Sequence, residues 1–126
     1  MATVSVTYPG LPAVVPSARR LVRDTLASSP RVGDLELIAA ELMTNAIQHT
    51  PTGSTGGAFT LTIHAGSGWA SIEVTDAGDG SSHHAPAIND ASNEHGRGLM
   101  IVAALANRFG HDADEYGQTV WAEVNW

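Results

Sequence analysis

The sequence predicts an α+β two-layer sandwich, in which a mixed, mostly antiparallel sheet is covered on one face by about three helices. The order of the elements read from hydrophobic periodicity is βααββαββ, in which helices are few and two pairs of strands follow one another directly in the chain. The chain has 126 residues and contains no internal repeat or linker, which indicates a single domain over residues 1–126.

The first half of the chain begins with a strand and a helix. Val4 and Val6 alternate with polar neighbours, which predicts a strand over residues 3–8 that Pro9 and Gly10 end. Pro16 suits the start of a helix that runs to about residue 28. Its apolar face consists of Ala18, Leu21, Val22 and Leu26.

The second helix is predicted to open at Gly33 and Asp34, with Asp34 as its N-cap. It should run to about residue 50, because Pro51 cannot continue a helix. Apolar residues recur at steps of three and four and form its buried face: Leu35, Ile38, Leu42 and Ala46.

The second half of the chain predicts a hairpin, a long loop, a helix and two strands. Residues 58–64 and 69–75 alternate and are joined by a turn over residues 65–68. Residues 80–95 have no periodicity, and a loop of this length in a small domain usually serves binding. Leu99, Val102, Ala103 and Ala106 predict the third helix, and strands follow over residues 108–112 and 118–125.

The composition excludes several classes of partner. The net charge is −7, whereas a nucleic-acid backbone requires a basic patch, so we expect no nucleic-acid partner. No apolar run is long enough to span a membrane, and residues 1–9 do not have the pattern of a signal peptide. The absence of cysteine excludes disulfides and thiolate metal sites and fits a cytoplasmic protein.

The chain also contains no lysine. A P-loop needs a lysine that reaches the β- and γ-phosphates, so a P-loop is excluded. A nucleotide site in this chain has to use backbone amides, arginine or a metal ion instead.

A polar row lies on the second predicted helix. Glu41, Asn45 and His49 are four residues apart and therefore share one face of the helix. The Asn45 amide oxygen can ligate Mg²⁺, and the Glu41 carboxylate can take a proton from a hydroxyl group or a water. A solvated helix face is the alternative interpretation.

An acidic, glycine-rich segment follows the second strand of the hairpin. An ionised Asp76 only accepts hydrogen bonds and could accept the exocyclic N–H of adenine. Gly78 and Gly80 allow the backbone to approach a flat ring closely. The alternative is an ordinary tight turn, in which Asp-Gly is common.

A second glycine-rich segment, Gly96-Arg97-Gly98-Leu99, opens the third helix. Free backbone N–H groups at a helix start bind phosphate. The segment is not a dinucleotide-binding fingerprint, because position 101 is Ile101 rather than glycine and no strand leads directly into it.

The ordered set of these three segments resembles the Bergerat-fold ATPases, the group that includes gyrase, Hsp90, histidine kinases and MutL. The resemblance covers nearly the whole chain. Within the group, the small size and the missing phospho-acceptor helical domain resemble the anti-sigma-factor serine/threonine kinases.

The resemblance implies roles for the residues just described. Asn45 would coordinate the Mg²⁺ that bridges the ATP phosphates, and Glu41 would be the catalytic base. Asp76 would bind adenine in a pocket shaped by Gly78 and Gly80. The remaining implied ligand contacts are phosphate contacts from Gly96, Arg97 and Gly98, with Leu99 beside them, and support of Asp76 from Thr119.

The resemblance also implies an activity and partners. Residues 80–95 would form an ATP lid, and the protein would phosphorylate a small STAS-type antagonist while sequestering a sigma factor. A homodimer is a further expectation. Open alternatives are a non-catalytic, ATP-gated binding module, a stand-alone histidine-kinase catalytic domain, and a two-layer protein that binds no nucleotide. The resemblance assigns no role to His49. For the loop histidines His83, His84 and His95 a metal site is one interpretation, and solvated side chains are the favoured one.

Overall fold

The computed structural model describes residues 2–49, 57–76, 94–114 and 117–126, with side chains over residues 2–48, 57–76, 99–113 and 117–126. The elements follow the predicted order. They are β1 (Ala2–Pro9), a 3₁₀ helix (Pro12–Val14), α1 (Val15–Thr25), α2 (Val32–His49), β2 (Ala58–Gly66), β3 (Trp69–Asp76), α3 (Glu94–Leu105), β4 (Arg108–Asp114) and β5 (Gly117–Asn125). Among the described helices, none is long and apolar enough to cross a membrane.

The five strands form one open sheet in the order β1-β2-β3-β5-β4. Every pairing between the described strands is antiparallel. The hairpin turn between β2 and β3 contains only Ser67 and Gly68, which makes it shorter than predicted, and Gly68 has a φ of 78°. A residue without a side chain is favoured there, because L side chains rarely adopt positive φ. The predicted α+β sandwich is confirmed.

The two faces of the sheet differ because side chains alternate along each strand. One face is apolar and shares a single core with the helices, and its buried residues are Phe59, Leu61, Ile63, Ile72, Val74, Val120, Ala122 and Val124. The opposite face is polar and carries Thr3, Ser5, Thr7, Thr60, Thr62, His64, Glu73, Thr75 and Thr119. The predicted apolar face of α2 is likewise buried in this core.

The start of α2 differs from the prediction. The helix begins at Val32, so Asp34 lies inside its first turn and is not the N-cap. The Asp34 carboxylate instead accepts hydrogen bonds from Nε and Nη2 of Arg31, both at 3.0 Å. The backbone N–H of Arg31 donates to the Ser29 hydroxyl at 3.0 Å. The Asp34 carboxylate therefore pairs with Arg31 and does not cap α2 as the sequence had predicted.

Two further helix boundaries differ from the prediction. Helix α1 ends at Thr25, three residues earlier than predicted, and Leu26 closes it with a backbone N–H bond to the carbonyl of Val22 at 2.9 Å. Helix α3 begins at Glu94, so His95 belongs to its first turn and not to the predicted loop. The rest of that loop lies outside the described residues.

An ion-pair cluster joins α1 to α2. Arg23 donates from Nε and Nη2 to the Glu36 carboxylate at 3.2 and 2.7 Å, and Arg19 donates to it from Nε at 3.2 Å. The hydrogen bond from Arg23 is the largest of the effects that hold the pKa of Glu36 below its ordinary value of 4.5. The carboxylate is therefore more readily ionised in the folded state than in the unfolded state.

This cluster predicts a pH-dependent contribution to stability. A carboxylate with a lowered folded pKa stabilises the fold above its unfolded pKa, and the contribution is lost as the pH falls through the folded value. Glu36→Gln should therefore lower the thermal midpoint at pH 7, and its deficit relative to wild type should shrink as the pH falls below about 4.5. Thermal unfolding at a series of pH values measures this, with Glu73→Gln as the control. A deficit that stays constant down to pH 3 would contradict the linkage.

Candidate functional site

Arg31 connects the ends of three secondary-structure elements at one end of the molecule. Its Nη2 donates to the carbonyl oxygen of Leu105 at 2.8 Å, and its Nη1 is 3.4 Å from the carbonyl oxygen of Asn125. Arg31 directly precedes α2, while Leu105 ends α3 and Asn125 ends β5. The start of α2 therefore lies beside the ends of α3 and β5.

The directions of α2 and β3 follow from this arrangement. Asn125 is the cross-strand partner of Trp69, so β3 also starts at the Arg31 end, and α2 packs against β3. From Val32 to Asn45 the helix advances about 20 Å. From Trp69 to Asp76 the strand advances about 24 Å. Asn45 and Asp76 therefore both reach the opposite end of the molecule.

Helix α3 runs in the other direction. It ends at Leu105 beside Arg31 and packs against α2, so its first turn points to the end that holds Asn45 and Asp76. Its length from Glu94 to Leu105 is about 17 Å, close to the distance that α2 covers to Asn45. Asn45, Asp76 and the first turn of α3 therefore lie toward the same end of the sandwich.

Asn45 has the features of a ligand-binding side chain. Its residue is only 8% exposed, and within the described part of the chain its side-chain amide makes no hydrogen bond. A buried amide without a partner costs about 1–3 kcal/mol, so such a group is usually retained for a purpose. Its oxygen is suited to a hard cation or to a group that donates hydrogen bonds.

Glu41 lies one turn before Asn45 on α2 and is partly buried. Among the described residues, its carboxylate has neither a hydrogen bond nor an ion pair, whereas Glu36 on the same helix is held by two arginines. Among the described residues, no arginine pairs with Glu41 as Arg19 and Arg23 pair with Glu36. A carboxylate in this state is available to accept a proton.

Asp76 ends β3 on the apolar face of the sheet. It is 4% exposed, and its cross-strand neighbours are Phe59 and Gln118. A carboxylate beside an aromatic ring at the end of a strand can accept a hydrogen bond from a flat heterocycle that packs on apolar atoms. Gly78 and Gly80 lie outside the described residues, so their predicted role in the same pocket stays a prediction.

The structure does not bring Thr119 to the side of the sheet on which Asp76 lies. Thr119 pairs with Thr75, and the hydroxyl oxygens of the two residues are 2.9 Å apart on the polar face. Successive strand residues point to opposite faces. The predicted support of Asp76 by the Thr119 side chain is therefore not seen.

Gln118 occupies the position that the prediction gave to Thr119. It is the direct partner of Asp76 on β5, and its Oε1 is 2.8 Å from Nε2 of His111 on β4. The sequence did carry a signal for this residue. Counting back in steps of two from the apolar residues Val124, Ala122 and Val120 reaches Gln118 and passes over Thr119.

The start of α3 contains Gly96, Arg97 and Gly98, whose backbone lies in the helix. Gly96 is the third residue of α3, and the N–H groups of a first turn have no acceptor within the helix. The phosphate contacts of all three residues stay predictions. Leu99 is 2% exposed and packs in the hydrophobic core, and its place beside the phosphates stays a prediction.

The histidines for which a metal site is the alternative interpretation lie mainly outside the described residues. His83 and His84 fall in the undescribed part of the chain, and the side chains of His49 and His95 are not described either. Within the described residues, no cluster of three or more histidine, aspartate or glutamate side chains could hold a metal ion.

Comparison with known proteins identifies the family. The sequence matches the family described as the histidine kinase-like ATPase domain over residues 7–124. A search of curated proteins finds no match.

Two similar solved structures come from Erythrobacter litoralis EL346. The histidine kinase domain of its blue-light activated histidine kinase has 18% sequence identity and a TM-score of 0.61, with 90% of this chain and 59% of that chain covered. The blue-light activated histidine kinase itself has 20% identity and a TM-score of 0.58, with 90% of this chain and 41% of that chain covered. These structures share the fold, and this chain spans only 59% and 41% of their lengths. On the family match, which covers most of its length, the chain belongs to the histidine kinase-like ATPase domain family.

Proposed function

We propose that this domain binds Mg·ATP and transfers the γ-phosphoryl group to a serine or threonine hydroxyl of a small STAS-type antagonist protein. In this proposal the domain also sequesters a sigma factor and releases it when the antagonist changes its phosphorylation state. The observation that carries the proposal is the position of Glu41. A carboxylate with no partner among the described residues lies one turn from the buried Asn45 amide, at the end of the sandwich where β3 ends and α3 begins.

The donor set at this end fits a magnesium ion bound to nucleotide phosphates. The buried Asn45 oxygen has no hydrogen-bond donor among the described residues, and Mg²⁺ prefers oxygen ligands and shares them with substrate phosphates. When bound there, the ion would neutralise negative charge on the phosphates. Asn45 would hold it with a neutral ligand, and the phosphates would supply the anionic ones.

Two parts of the domain are suited to bind the adenine base and the phosphates of the nucleotide. Asp76 accepts the exocyclic N–H of adenine through its buried carboxylate. The first turn of α3 offers N–H groups to the phosphates, which matters in a chain with no lysine. Arg97 supplies the positive charge in that turn.

Glu41 provides the chemistry that separates a kinase from a binding module. It takes the proton of the attacking hydroxyl as the hydroxyl oxygen bonds to the γ-phosphorus, while the bond from that phosphorus to the bridging oxygen of ADP breaks. Proton removal of this kind contributes about 10²–10⁴-fold to a rate. Nucleotide binding alone does not require a free carboxylate at this position, so Glu41 disfavours a purely ATP-gated module.

The charge of the chain supports protein partners rather than nucleic acid. A net charge of −7 favours association with a basic surface through long-range attraction. Phosphorylation adds a charge of about −2 to the antagonist and would weaken its contact with an acidic kinase. The sigma factor would then compete more effectively for the same domain.

A histidine-kinase catalytic domain is the second candidate, and the similar solved histidine kinases favour it. In that case the phosphoryl acceptor is a histidine on a separate protein. The binding site for Mg·ATP is the same in both proposals, so only the identity of the acceptor distinguishes them.

Labelled phosphate tests the proposal directly. We expect the domain, γ-labelled ATP, Mg²⁺ and a STAS-type antagonist to yield labelled antagonist that survives acid, as phosphoserine and phosphothreonine do. Omission of Mg²⁺ should abolish the labelling. Acid-labile phosphate on a histidine-containing partner would support the second candidate instead. Tight ATP binding without any labelled protein would favour the non-catalytic module.

A further inference from the structure

A hydrogen bond joins side chains of β4 and β5 in the neighbourhood of Asp76. Nε2 of His111 on β4 is 2.8 Å from Oε1 of Gln118 on β5. An amide oxygen only accepts hydrogen bonds, so Nε2 of His111 carries the hydrogen and donates it. Both residues are partly buried. The bond therefore fixes the end of a long side chain that would otherwise be able to rotate.

The register of the sheet places this pair on the face that carries Asp76. Gln118 is the direct cross-strand partner of Asp76, and His111 pairs with Val120, two residues further along β5. Residues two apart along a strand share a face, and so do directly paired residues. Because β5 lies between β3 and β4, Asp76 and His111 are on opposite sides of Gln118.

The Gln118 amide has one end that the fold leaves without a partner. His111 holds the amide oxygen, whereas the N–H₂ group has no acceptor among the described residues. A donor that is partly withdrawn from water gains free energy when it finds an acceptor. Release of the oxygen by His111 would leave the whole amide free to turn toward one.

Asp76 is a suitable acceptor for that amide. The Cβ atoms of directly paired residues lie about 4.5–5.5 Å apart, a gap that a glutamine and an aspartate side chain can bridge. Asp76 is 4% exposed, so water would weaken a hydrogen bond to its carboxylate only slightly. A turn of the Gln118 side chain toward β3 would therefore bring the amide N–H₂ group to the carboxylate.

This contact would imitate the nucleotide. The amide N–H₂ of Gln118 and the exocyclic N–H₂ of adenine are donors of the same kind. Both would bond to the carboxylate of Asp76 and occupy the space beside it. An unrestrained Gln118 would therefore compete with adenine from within the domain.

We propose that His111 is a positioning residue of the nucleotide site, which holds the Gln118 amide toward β4 and keeps it from taking the Asp76 carboxylate. His111 has this role only if adenine binds at Asp76, so the proposal rests on the proposed function. It adds a residue on β4, a strand that carries none of the residues to which the sequence gave a ligand contact.

Loss of the donor at position 111 should weaken nucleotide binding. His111→Leu removes the hydrogen bond and keeps a side chain of similar size on the apolar face. We expect the Kd for Mg·ATP to rise about tenfold, as it would if the released Gln118 occupied Asp76 for about nine-tenths of the time. Calorimetric titration with a non-hydrolysable ATP analogue measures the affinity, and thermal unfolding shows whether the variant remains folded.

Two further variants at β4 frame this result. His111→Gln returns an N–H donor to the Gln118 oxygen and should recover most of the wild-type affinity. Asp112→Asn changes the next residue on the same strand, which pairs with Thr119 and lies on the opposite face of the sheet. It should bind Mg·ATP as wild type does.

Removal of Gln118 distinguishes a positioning role from a general effect on the fold. A Gln118→Ala background has no amide to compete with adenine, so His111→Leu should not change the Kd there. The double variant should therefore bind Mg·ATP about tenfold more tightly than His111→Leu alone. Damage to the fold would not be repaired by a second truncation.

The outcomes separate this proposal from the proposed function. If wild type does not bind Mg·ATP, or if Asp76→Asn binds it with wild-type affinity, the adenine site is misplaced and the role of His111 falls with it. If those two proteins behave as proposed and His111→Leu still binds as wild type does, the role of His111 alone is overturned. A double variant as weak as His111→Leu would also overturn it, because the loss would then not come through Gln118.

Discussion

We expect Glu41→Gln to leave the affinity for Mg·ATP unchanged and to lower the rate of phosphotransfer by about 10²–10⁴-fold. Glutamine has nearly the same size as glutamate and cannot accept the hydroxyl proton. Because Glu41 has no ion pair or hydrogen bond within the described part of the chain, the substitution leaves no described partner unsatisfied. The loss therefore falls on the chemical step and not on folding.

Calorimetry with a non-hydrolysable ATP analogue measures the affinity, and single-turnover transfer to the antagonist measures the chemical step. Glu73→Gln is a matched control, because Glu73 lies on the polar face of the sheet beside His64 and away from the site. Glu41→Gln with a wild-type rate of transfer would show that another group accepts the proton. An equal fall in the control would point to a general effect on the fold.

Periodicity alone predicted the layers of the sandwich. Steps of three and four in α2, and of two in β2, β3 and β5, located the buried residues because burial leaves a direct trace in the spacing of apolar side chains. The same rule applied to β5 places Gln118 beside Asp76. The resemblance to a family placed Thr119 there, and the alternation of the strand decides against it.

Tertiary contacts set what periodicity could not predict. The sequence offered Asp34 as a cap, and only the folded chain brings Arg31 near enough to pair with it. The same arginine fixes the relative directions of α2, α3 and β3 through two backbone carbonyl oxygens. The placement of Asn45, Asp76 and the first turn of α3 at one end depends on those directions, and no local pattern in the sequence contains them.

Transfer and binding can be separated because their residues lie on different elements. Glu41 is on α2 and Asp76 is on β3, and they would contact opposite ends of the nucleotide. A substitution of Glu41 should change the rate of phosphotransfer, and a substitution of Asp76 should change the affinity for ATP.

Asp76→Asn should lower the affinity for ATP by about 10–100-fold, which corresponds to the roughly 1.5–3 kcal/mol contributed by a hydrogen bond to a charged group. An asparagine places an N–H₂ group where one carboxylate oxygen was, and that group repels the exocyclic N–H of adenine. Asp76 is 4% exposed, so solvent cannot replace the lost acceptor. Calorimetric titration with ATP and ADP measures the effect, with Asp112→Asn on the exposed part of β4 as the control.

A nucleotide with a different nucleobase tests whether Asp76 recognises adenine. Inosine triphosphate has an oxygen in place of the exocyclic amino group, so wild type should bind it poorly, since its oxygen faces the Asp76 carboxylate. Asp76→Asn can donate to that oxygen, and its preference for ATP over inosine triphosphate should therefore fall. If both proteins lose affinity for the two nucleotides in the same proportion, Asp76 acts on the shape of the pocket and does not contact the base. Unchanged ATP affinity in Asp76→Asn, with a wild-type thermal midpoint, would place the adenine site elsewhere.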